Sequence, residues 1–91
     1  MGESYGIVAF RSRQQVLALE SALRRAGANV KVVSTPRDVA LGCGLSVWFS
    51  LSDQELVRRV VRETRPGNMV GMYRVDRENG QTHLSVLAYS R

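Results

Sequence analysis

The chain's single cysteine stands between two glycines, in the segment Gly42-Cys43-Gly44. A thiolate is a strong nucleophile and can also accept sulfur, so this side chain is the best candidate in the sequence for group-transfer chemistry. Flanking glycines remove neighbouring side chains and permit unusual backbone angles, which lets a substrate or a second protein approach the sulfur closely. The sequence therefore predicts a catalytic, accessible thiol at Cys43, with Gly42 and Gly44 forming part of the substrate-binding surface.

The competing interpretation is that Cys43 is a small buried hydrophobic residue, which is the usual role of a lone cysteine in a cytosolic protein. The length of the connection argues for function, because about ten residues, 35–44, join two strands where about two to five would suffice. His83 is the only histidine and could act as a base only if folding brought it to the thiol. Its alternation with polar neighbours favours an ordinary strand residue.

Length and composition bound the class of protein. The chain has 91 residues, of which 44% are hydrophobic and 23% charged, as is typical of one globular domain. No stretch approaches the roughly 18 apolar residues of a membrane span, and the N-terminus lacks the basic and then apolar pattern of a signal peptide. We therefore expect a single domain over residues 1–91, located in the cytoplasm and without membrane association.

The sequence offers few ligands for a metal or a cofactor. One cysteine and one histidine can form neither an internal disulfide nor a structural zinc site. The glycines around Cys43 are not followed by a Gly-Lys-Ser or dinucleotide-binding pattern. We expect no metal and no bound cofactor.

The formal net charge is +5 and comes almost entirely from arginine, since Lys31 is the only lysine. This balance favours an anionic partner or substrate, and Arg13 and Arg37 are predicted to bind it beside the thiol. A second arginine cluster, Arg58-Arg59 with Arg62, is predicted to be a solvated helix face. RNA binding is a further alternative, but the basic and aromatic signature of RNA-binding plaits is missing, so nucleic acid is not the expected partner.

Hydrophobic periodicity predicts elements in the order β-α-β-β-α-β-β. Ser12 and Ser52 each begin a capping-box pattern, Gly27 predicts a left-handed helix end, and Asn79-Gly80 predicts a hairpin turn. The predicted strands cover residues 5–10, 28–34, 45–50, 68–75 and 82–89, with helices between the first two and after the third.

This order predicts an α+β fold of the ferredoxin-like split β-α-β type, a mostly antiparallel sheet with two helices on one face and one added strand. Thr35-Pro36-Arg37-Asp38 matches a helix start and predicts one or two turns that end at Leu41. In this topology residues 35–44 lie at the same end of the sheet as the start of the first helix. Cys43 is therefore expected near four arginines: Arg11, Arg13, Arg37 and Arg65.

Several motifs resemble those of the selenium/sulfur carrier protein-like family over residues 5–63, leaving a C-terminal hairpin, 66–91, outside the likeness. The motifs are Phe10-x-Ser12, Ala18-Leu19-Glu20, Thr35-Pro36-Arg37 and Cys43-Gly44-Leu45. The resemblance implies that Cys43 holds sulfur or selenium as a persulfide or perselenide and passes it from a donor protein to an acceptor protein. It also implies that Arg37 orients this anion and that the protein is a carrier rather than an independent enzyme.

A different class of function stays open. The same fold can serve as a non-catalytic regulatory or protein-interaction module, in which Cys43 only packs the loop. An exposed edge strand would then pair with a partner or with a second copy of the chain in a homodimer.

Overall fold

The computed structural model describes residues 2–40 and 42–89. Within these residues, five strands form one sheet in the order β2-β3-β1-β4-β5, and every neighbouring pair is antiparallel. The elements are β1 (Glu3–Phe10), α1 (Arg13–Arg25), β2 (Val30–Ser34), β3 (Leu45–Phe49), α2 (Gln54–Thr64), β4 (Met69–Glu78) and β5 (Gln81–Tyr89), with a 3-10 turn at Leu51–Asp53 before α2.

The predicted α+β class, the antiparallel sheet and the two helices are confirmed. The β4–β5 hairpin is not an appendage, because β4 pairs with β1 from Glu3 opposite Arg77 to Phe10 opposite Met69. β1 is therefore hydrogen-bonded on both sides. Its residues 5–10 are also buried on both faces of the sheet, which explains why this part of the strand carries no charged residue. β5 adds a fifth strand at the edge, so the complete strand order differs from that of a four-stranded plait.

One face of the sheet is covered by both helices. The ring of Phe49 is fully buried there and lies against Gly6 so closely that a Cβ on Gly6 would be 2.0 Å from it. No larger residue fits at this position while the ring stays in place. The other buried members of this helix-side core are Val8, Phe10, Val16, Leu19, Leu23, Ala28, Val30, Val47, Val57, Val60 and Met72.

Part of the opposite face of the sheet is covered by the connection between β2 and β3, residues 35–44, here named the Cys43 loop, of which the structure describes all but Leu41. Side chains of β1 alternate between the two faces, so Tyr5, Ile7 and Ala9 point away from the helices. They form a second buried cluster with Val75 of β4 and Val39 of the loop. The loop is thus a second layer of the domain and not a free connection between strands.

Two predicted turns are confirmed by their backbone angles. Gly27 has φ +95°, and the N–H of Ala28 donates to the carbonyl of Leu23 at 3.0 Å, which closes the C-terminal end of α1. Asn79 and Gly80 have φ +52° and +75°, the conformation of a tight hairpin turn.

Both predicted capping boxes are wrong. Ser12 is the residue before α1 but makes no side-chain hydrogen bond to the helix. Ser52 does not begin α2, because a 3-10 turn precedes the helix and Asp53 takes the N-cap position. The Asp53 carboxylate instead accepts a hydrogen bond from the main chain of Asn29 at 2.8 Å, so a contact from the neighbouring connection replaces the local cap.

The one or two turns predicted from Thr35 are present only in part, and the predicted Thr35 cap is wrong. The observed form is a single turn, in which the Pro36 carbonyl accepts hydrogen bonds from Val39 and Ala40 at 3.0 and 3.2 Å. The Thr35 hydroxyl does not cap this turn, since it bonds to a strand residue described below. Leu41, the predicted last residue of the helix, lies outside the described residues.

Candidate functional site

The base of the Cys43 loop is closed by hydrogen bonds to buried groups. The N–H of Thr35 donates to the carbonyl of Gly44 at 3.1 Å, which brings the two ends of the loop together. The Thr35 hydroxyl lies 2.6 Å from the hydroxyl of Ser46 in β3, and both side chains are buried. Each buried hydroxyl thus has a partner, so this pair ties the loop firmly to the sheet.

Val39 anchors the middle of the loop. It is only 8% exposed and packs in the cluster with Ile7 and Val75. Ala40 and Cys43 lie against the same cluster and are half-buried. The Cys43 thiol is therefore neither fully displayed nor sealed within the core.

An ion pair joins the outer part of the loop to the hairpin. Arg77 of β4 donates to both carboxylate oxygens of Asp38, at 2.9 and 3.2 Å. The same guanidinium donates to the Tyr5 hydroxyl at 2.9 Å and to the Thr82 hydroxyl at 2.8 Å. One arginine thus connects the loop with β1, β4 and β5.

The electrostatics of this pair are mutual. The Arg77 guanidinium, with help from the Thr82 hydroxyl, lowers the pKa of the Asp38 carboxyl below its usual value. Asp38, followed by Tyr5, raises the pKa of Arg77. Both groups are therefore charged over the whole neutral range, and their hydrogen bonds are charge-assisted.

The two glycines leave space around the cysteine. Gly42 and Gly44 are exposed, and among the described residues no atom lies within 4 Å of the Cβ that either would carry. Gly42 has φ +87°, a conformation that side chains other than glycine rarely adopt. The main chain on both sides of Cys43 is thus open to an approaching molecule.

A groove of about 360 Å³ connects the loop to the start of α1. Gly44 lines it together with Arg11 and with Arg13, the first residue of α1, so the structure brings two of the predicted binding residues, Gly44 and Arg13, together. The other lining residues are Phe10 and Leu45. Guanidinium groups at a helix N-terminus make this groove favourable for an anion.

The remaining predicted arginines are placed differently. Arg37 is exposed on the turn of the loop and, within residues 2–40 and 42–89, forms no hydrogen bond or ion pair. Arg65 ends α2 in a left-handed conformation with φ +45°. It does not line the groove beside Gly44. Among the described residues that line this groove, Arg11 and Arg13 are thus the arginines present, and Arg37 and Arg65 lie outside it.

The comparison with protein families covers most of the chain. The model of the family described as "Putative Se/S carrier protein-like" matches residues 5–69. The chain belongs to this family. The resemblance read from Thr35-Pro36-Arg37 and Cys43-Gly44-Leu45 is thereby confirmed. No curated protein and no solved structure matches the chain.

The family match includes the complete Cys43 loop and ends at the first residue of β4. Arg77 and Thr82, which hold Asp38, therefore lie outside it. In this carrier-like protein, the loop comes from the family region while part of its support comes from the following hairpin.

His83 is not brought to the cysteine of this carrier-like chain. It lies on β5 opposite Asp76, whose carboxylate binds Ser4 and Arg74. These side chains are on the face of the sheet away from the Cys43 loop, because Ser4 alternates with Tyr5 along β1. His83 thus has no geometry for a base acting on the thiol.

Two further findings concern the grouping of metal-ligating residues and the length of the helices. In the part of the chain that the structure describes, no three His, Cys, Asp or Glu residues are grouped so that they could hold a metal ion. Neither described helix is long and apolar enough to cross a bilayer.

Sequence reasoning missed the contribution of Arg77. The sequence places Asp38 only in the helix start Thr35-Pro36-Arg37-Asp38, yet the partner of its carboxylate lies 39 positions further along the chain. A single arginine among the 13 basic residues carries no local pattern that marks it as a partner of the loop. Only the pairing of β1 with β4 and β5 brings these groups together.

Proposed function

We propose that this protein carries sulfur or selenium on Cys43, as a persulfide or perselenide, between a donor protein and an acceptor protein. The observation that carries the proposal is the half-exposed thiol between two unobstructed glycines, within a chain of the Se/S carrier-like family. A carrier needs a thiol that a partner can reach but that water-borne oxidants reach less easily. A half-buried sulfur with an open main chain meets both requirements.

The transfer conserves atoms and electrons. The Cys43 thiolate attacks the outer sulfur of a persulfide on the donor, a new S–S bond forms at Cys43, and the donor cysteine leaves as a thiolate. In the second step, an acceptor nucleophile attacks the outer sulfur held on Cys43 and releases the Cys43 thiolate. Selenium follows the same steps, and no separate oxidant or cofactor is needed.

In this proposal the neighbouring residues bind the anion and the partner. Arg13, beside Gly44 in the arginine-lined groove, stabilises the negative charge of the outer chalcogen or of the attacking group. Arg37, exposed on the turn of the loop, orients the anion held on Cys43, as its place in the Thr-Pro-Arg motif suggests. Gly42 and Gly44 admit the partner's main chain to the sulfur.

Finer assignments belong to the same proposal. We place the whole chain in one domain of the ferredoxin-like class, and the arrangement of β1 to β4 with both helices on one face supports this. The donor would be an enzyme such as a cysteine desulfurase or selenocysteine lyase, acting in the cytoplasm. The uncharged β5 edge, with Leu84 and Val86 40% and 44% exposed, supports a homodimer through that strand.

A second candidate function is a protein-interaction module in which Cys43 is structural. The packing of Cys43 against the cluster of Ile7, Val39 and Val75 favours it, because a thiol can serve there as a small apolar side chain. RNA binding is a third candidate, supported only by the exposed Arg59 and Arg62 of α2.

Sulfur loading tests the proposal directly. The reduced protein is incubated with a cysteine desulfurase and cysteine, and its intact mass is measured before and after treatment with a thiol reductant. We expect one reducible sulfur on the wild type and none on Cys43→Ser, whose fold is checked by circular dichroism. Selenocysteine lyase with selenocysteine gives the corresponding test for selenium.

The outcomes separate the candidates. A wild type that accepts no sulfur or selenium, although its thiol reacts with iodoacetamide in the folded state, would contradict the carrier function. Partner binding that survives in Cys43→Ser would support the interaction module. RNA affinity that falls steeply with salt and is unchanged in Cys43→Ser would support the third candidate.

A further inference from the structure

We infer that Arg77 is a positioning residue, which latches the Cys43 loop onto the sheet and so sets how easily the Cys43 thiol is reached. The inference goes beyond the proposed function, because it concerns access to the sulfur and not what the sulfur carries.

The latch is the ion pair between Arg77 and Asp38, which ties the outer part of the loop to the sheet. Of the ion pairs among the described residues, Arg24 with Glu20 lies within α1 and Arg74 with Asp76 within β4, and only Arg77 with Asp38 reaches the Cys43 loop. The other ties are the hydrogen bonds of Thr35 at the base and the packing of Val39. Loss of the ion pair therefore frees the outer part of the loop while its base stays attached.

Arg77 is held in place independently of the loop. Its position near the end of β4 is opposite Glu3, the first residue of β1, and Thr82 of β5, so its main chain is paired on both sides. Hydrogen bonds to Tyr5 and Thr82 fix the guanidinium, whose central carbon is 6.0 Å from the centre of the Tyr5 ring. Because the guanidinium is already oriented before Asp38 binds, its pairing with the carboxylate costs little further side-chain entropy.

The strength of the pair suits a reversible latch. The Asp38 side chain is 48% exposed and that of Arg77 32%, so solvent screens their attraction. Such pairs change an equilibrium by about two- to fivefold, which is enough to shift the loop between closed and open forms without unfolding the domain. When the loop leaves the sheet, Cys43 loses its contacts with the second cluster and its sulfur becomes fully accessible.

The test compares two carboxylate variants of matched chemistry. Asp38→Asn removes the latch, whereas Asp76→Asn removes an ion pair and a Ser4 hydrogen bond on the opposite face of the sheet. We expect the rate of Cys43 alkylation by iodoacetamide, in the folded full-length protein at neutral pH, to rise about fivefold in Asp38→Asn. It should stay within about twofold of the wild type in Asp76→Asn.

A double-mutant cycle shows whether Arg77 acts through Asp38. Arg77→Gln, Asp38→Asn and the double variant should share nearly the same alkylation rate, because each breaks the same contact. Arg77→Lys keeps the positive charge but cannot bind both carboxylate oxygens with a planar guanidinium. Its alkylation rate should therefore lie between those of these variants and that of the wild type. Additive effects of the two substitutions, or equal rates in Asp38→Asn and the wild type, would overturn the latch.

Urea separates local opening from global unfolding. Local opening exposes little surface, so the alkylation rate of Asp38→Asn should depend weakly on urea well below the unfolding midpoint. If the alkylation rate of Asp38→Asn instead rises with urea in parallel with global unfolding, Arg77 only stabilises the fold. Alkylation requires no sulfur donor, so this assay tests the latch separately from the carrier function. Either proposal can be contradicted while the other holds.

Discussion

The two faces of this sheet are buried by very different structures. On one face α1 and α2 pack against Val8 and Phe10, and on the other the Cys43 loop packs against Ile7 and Ala9. A helix satisfies its own backbone hydrogen bonds, whereas the loop depends on contacts with strands that are distant in sequence. Cys43 thus belongs to the layer that has fewer hydrogen bonds of its own. Such a layer suits a residue that must contact a partner.

The largest expected effect is on the helix-covered face. Phe49→Ala removes a fully buried ring that packs against Gly6, and a cavity remains because the sheet cannot collapse into it. We expect a loss of about 3–5 kcal/mol in the free energy of unfolding, measured by urea denaturation. A loss below about 1.5 kcal/mol would show that this face is no more tightly packed than the other.

A matched pair of valines compares the faces directly. Val47→Ala deletes two buried methyl groups on the helix side, and Val39→Ala deletes the same groups from the loop. We expect the free energy of unfolding to fall by about 2 kcal/mol for Val47→Ala and about 1 kcal/mol for Val39→Ala, since a loop relaxes around a cavity more easily. Only Val39→Ala should speed Cys43 alkylation in the folded protein. Equal acceleration of Cys43 alkylation in both variants would contradict the proposed difference between the two faces of the sheet.

The base of the loop should behave as a buried polar contact. Thr35→Val keeps the shape of the side chain but leaves the Ser46 hydroxyl without its partner, which should cost about 1–2 kcal/mol of unfolding free energy. Adding Ser46→Ala should recover part of this loss in urea denaturation. If the double variant is less stable than Thr35→Val alone, the hydroxyl pair is not what closes the loop.

Acid should raise the reactivity of Cys43, because protonation of Asp38 weakens its ion pair with Arg77. The pKa of Asp38, which faces Arg77 of β4 and Thr82 of β5, is lowered in the folded state by these two side chains, Arg77 having the larger effect. A carboxyl of this kind stabilises the closed form above its unfolded pKa of about 4, and the contribution is lost as pH falls through the folded pKa. Cys43 should therefore become more reactive below about pH 4, measured with a dipyridyl disulfide that reacts in acid.

Asp76 supplies the control for this acid effect. Its pKa is also lowered, by Ser4 and then by Arg74, but on the face away from the loop. Asp38→Asn should therefore abolish the extra acid-dependent reactivity of Cys43, and Asp76→Asn should preserve it. The effect is the smallest of the four because both carboxylates are in contact with water.

Most of the fold was accessible from local sequence patterns. Val16, Leu19 and Leu23 repeat at three- and four-residue steps, a spacing that predicts one helix face, and all three are buried in α1. Trp48 and Phe49 are adjacent in β3, and alternation predicts opposite faces for them: Phe49 packs in the helix-side core and Trp48 lies against the second cluster. These predictions succeed because alternation and helical periodicity depend only on nearby residues.

The errors have a common physical origin. The Ser52 capping box and the helix from Thr35 both assume that a polar side chain bonds to its own segment. In the folded protein, the Thr35 hydroxyl binds Ser46, which is distant in sequence. The N-cap position of α2 is taken by Asp53, whose carboxylate binds the main chain of Asn29, while the Ser52 hydroxyl bonds to Ser50. Local patterns cannot rank such partners, because the alternatives appear only when strands are packed.

The sequence by itself determined the turns and the family. Gly27 and Asn79-Gly80 predicted the helix end and the hairpin turn, where positive φ is observed, and the Cys43 motif identified the carrier-like family. Tertiary structure alone decided that the Cys43 loop covers the face opposite the helices and that Asp38 meets Arg77. The reason is that backbone angles are set by neighbouring residues, whereas the position of a loop is set by strand register and by packing across the whole sheet.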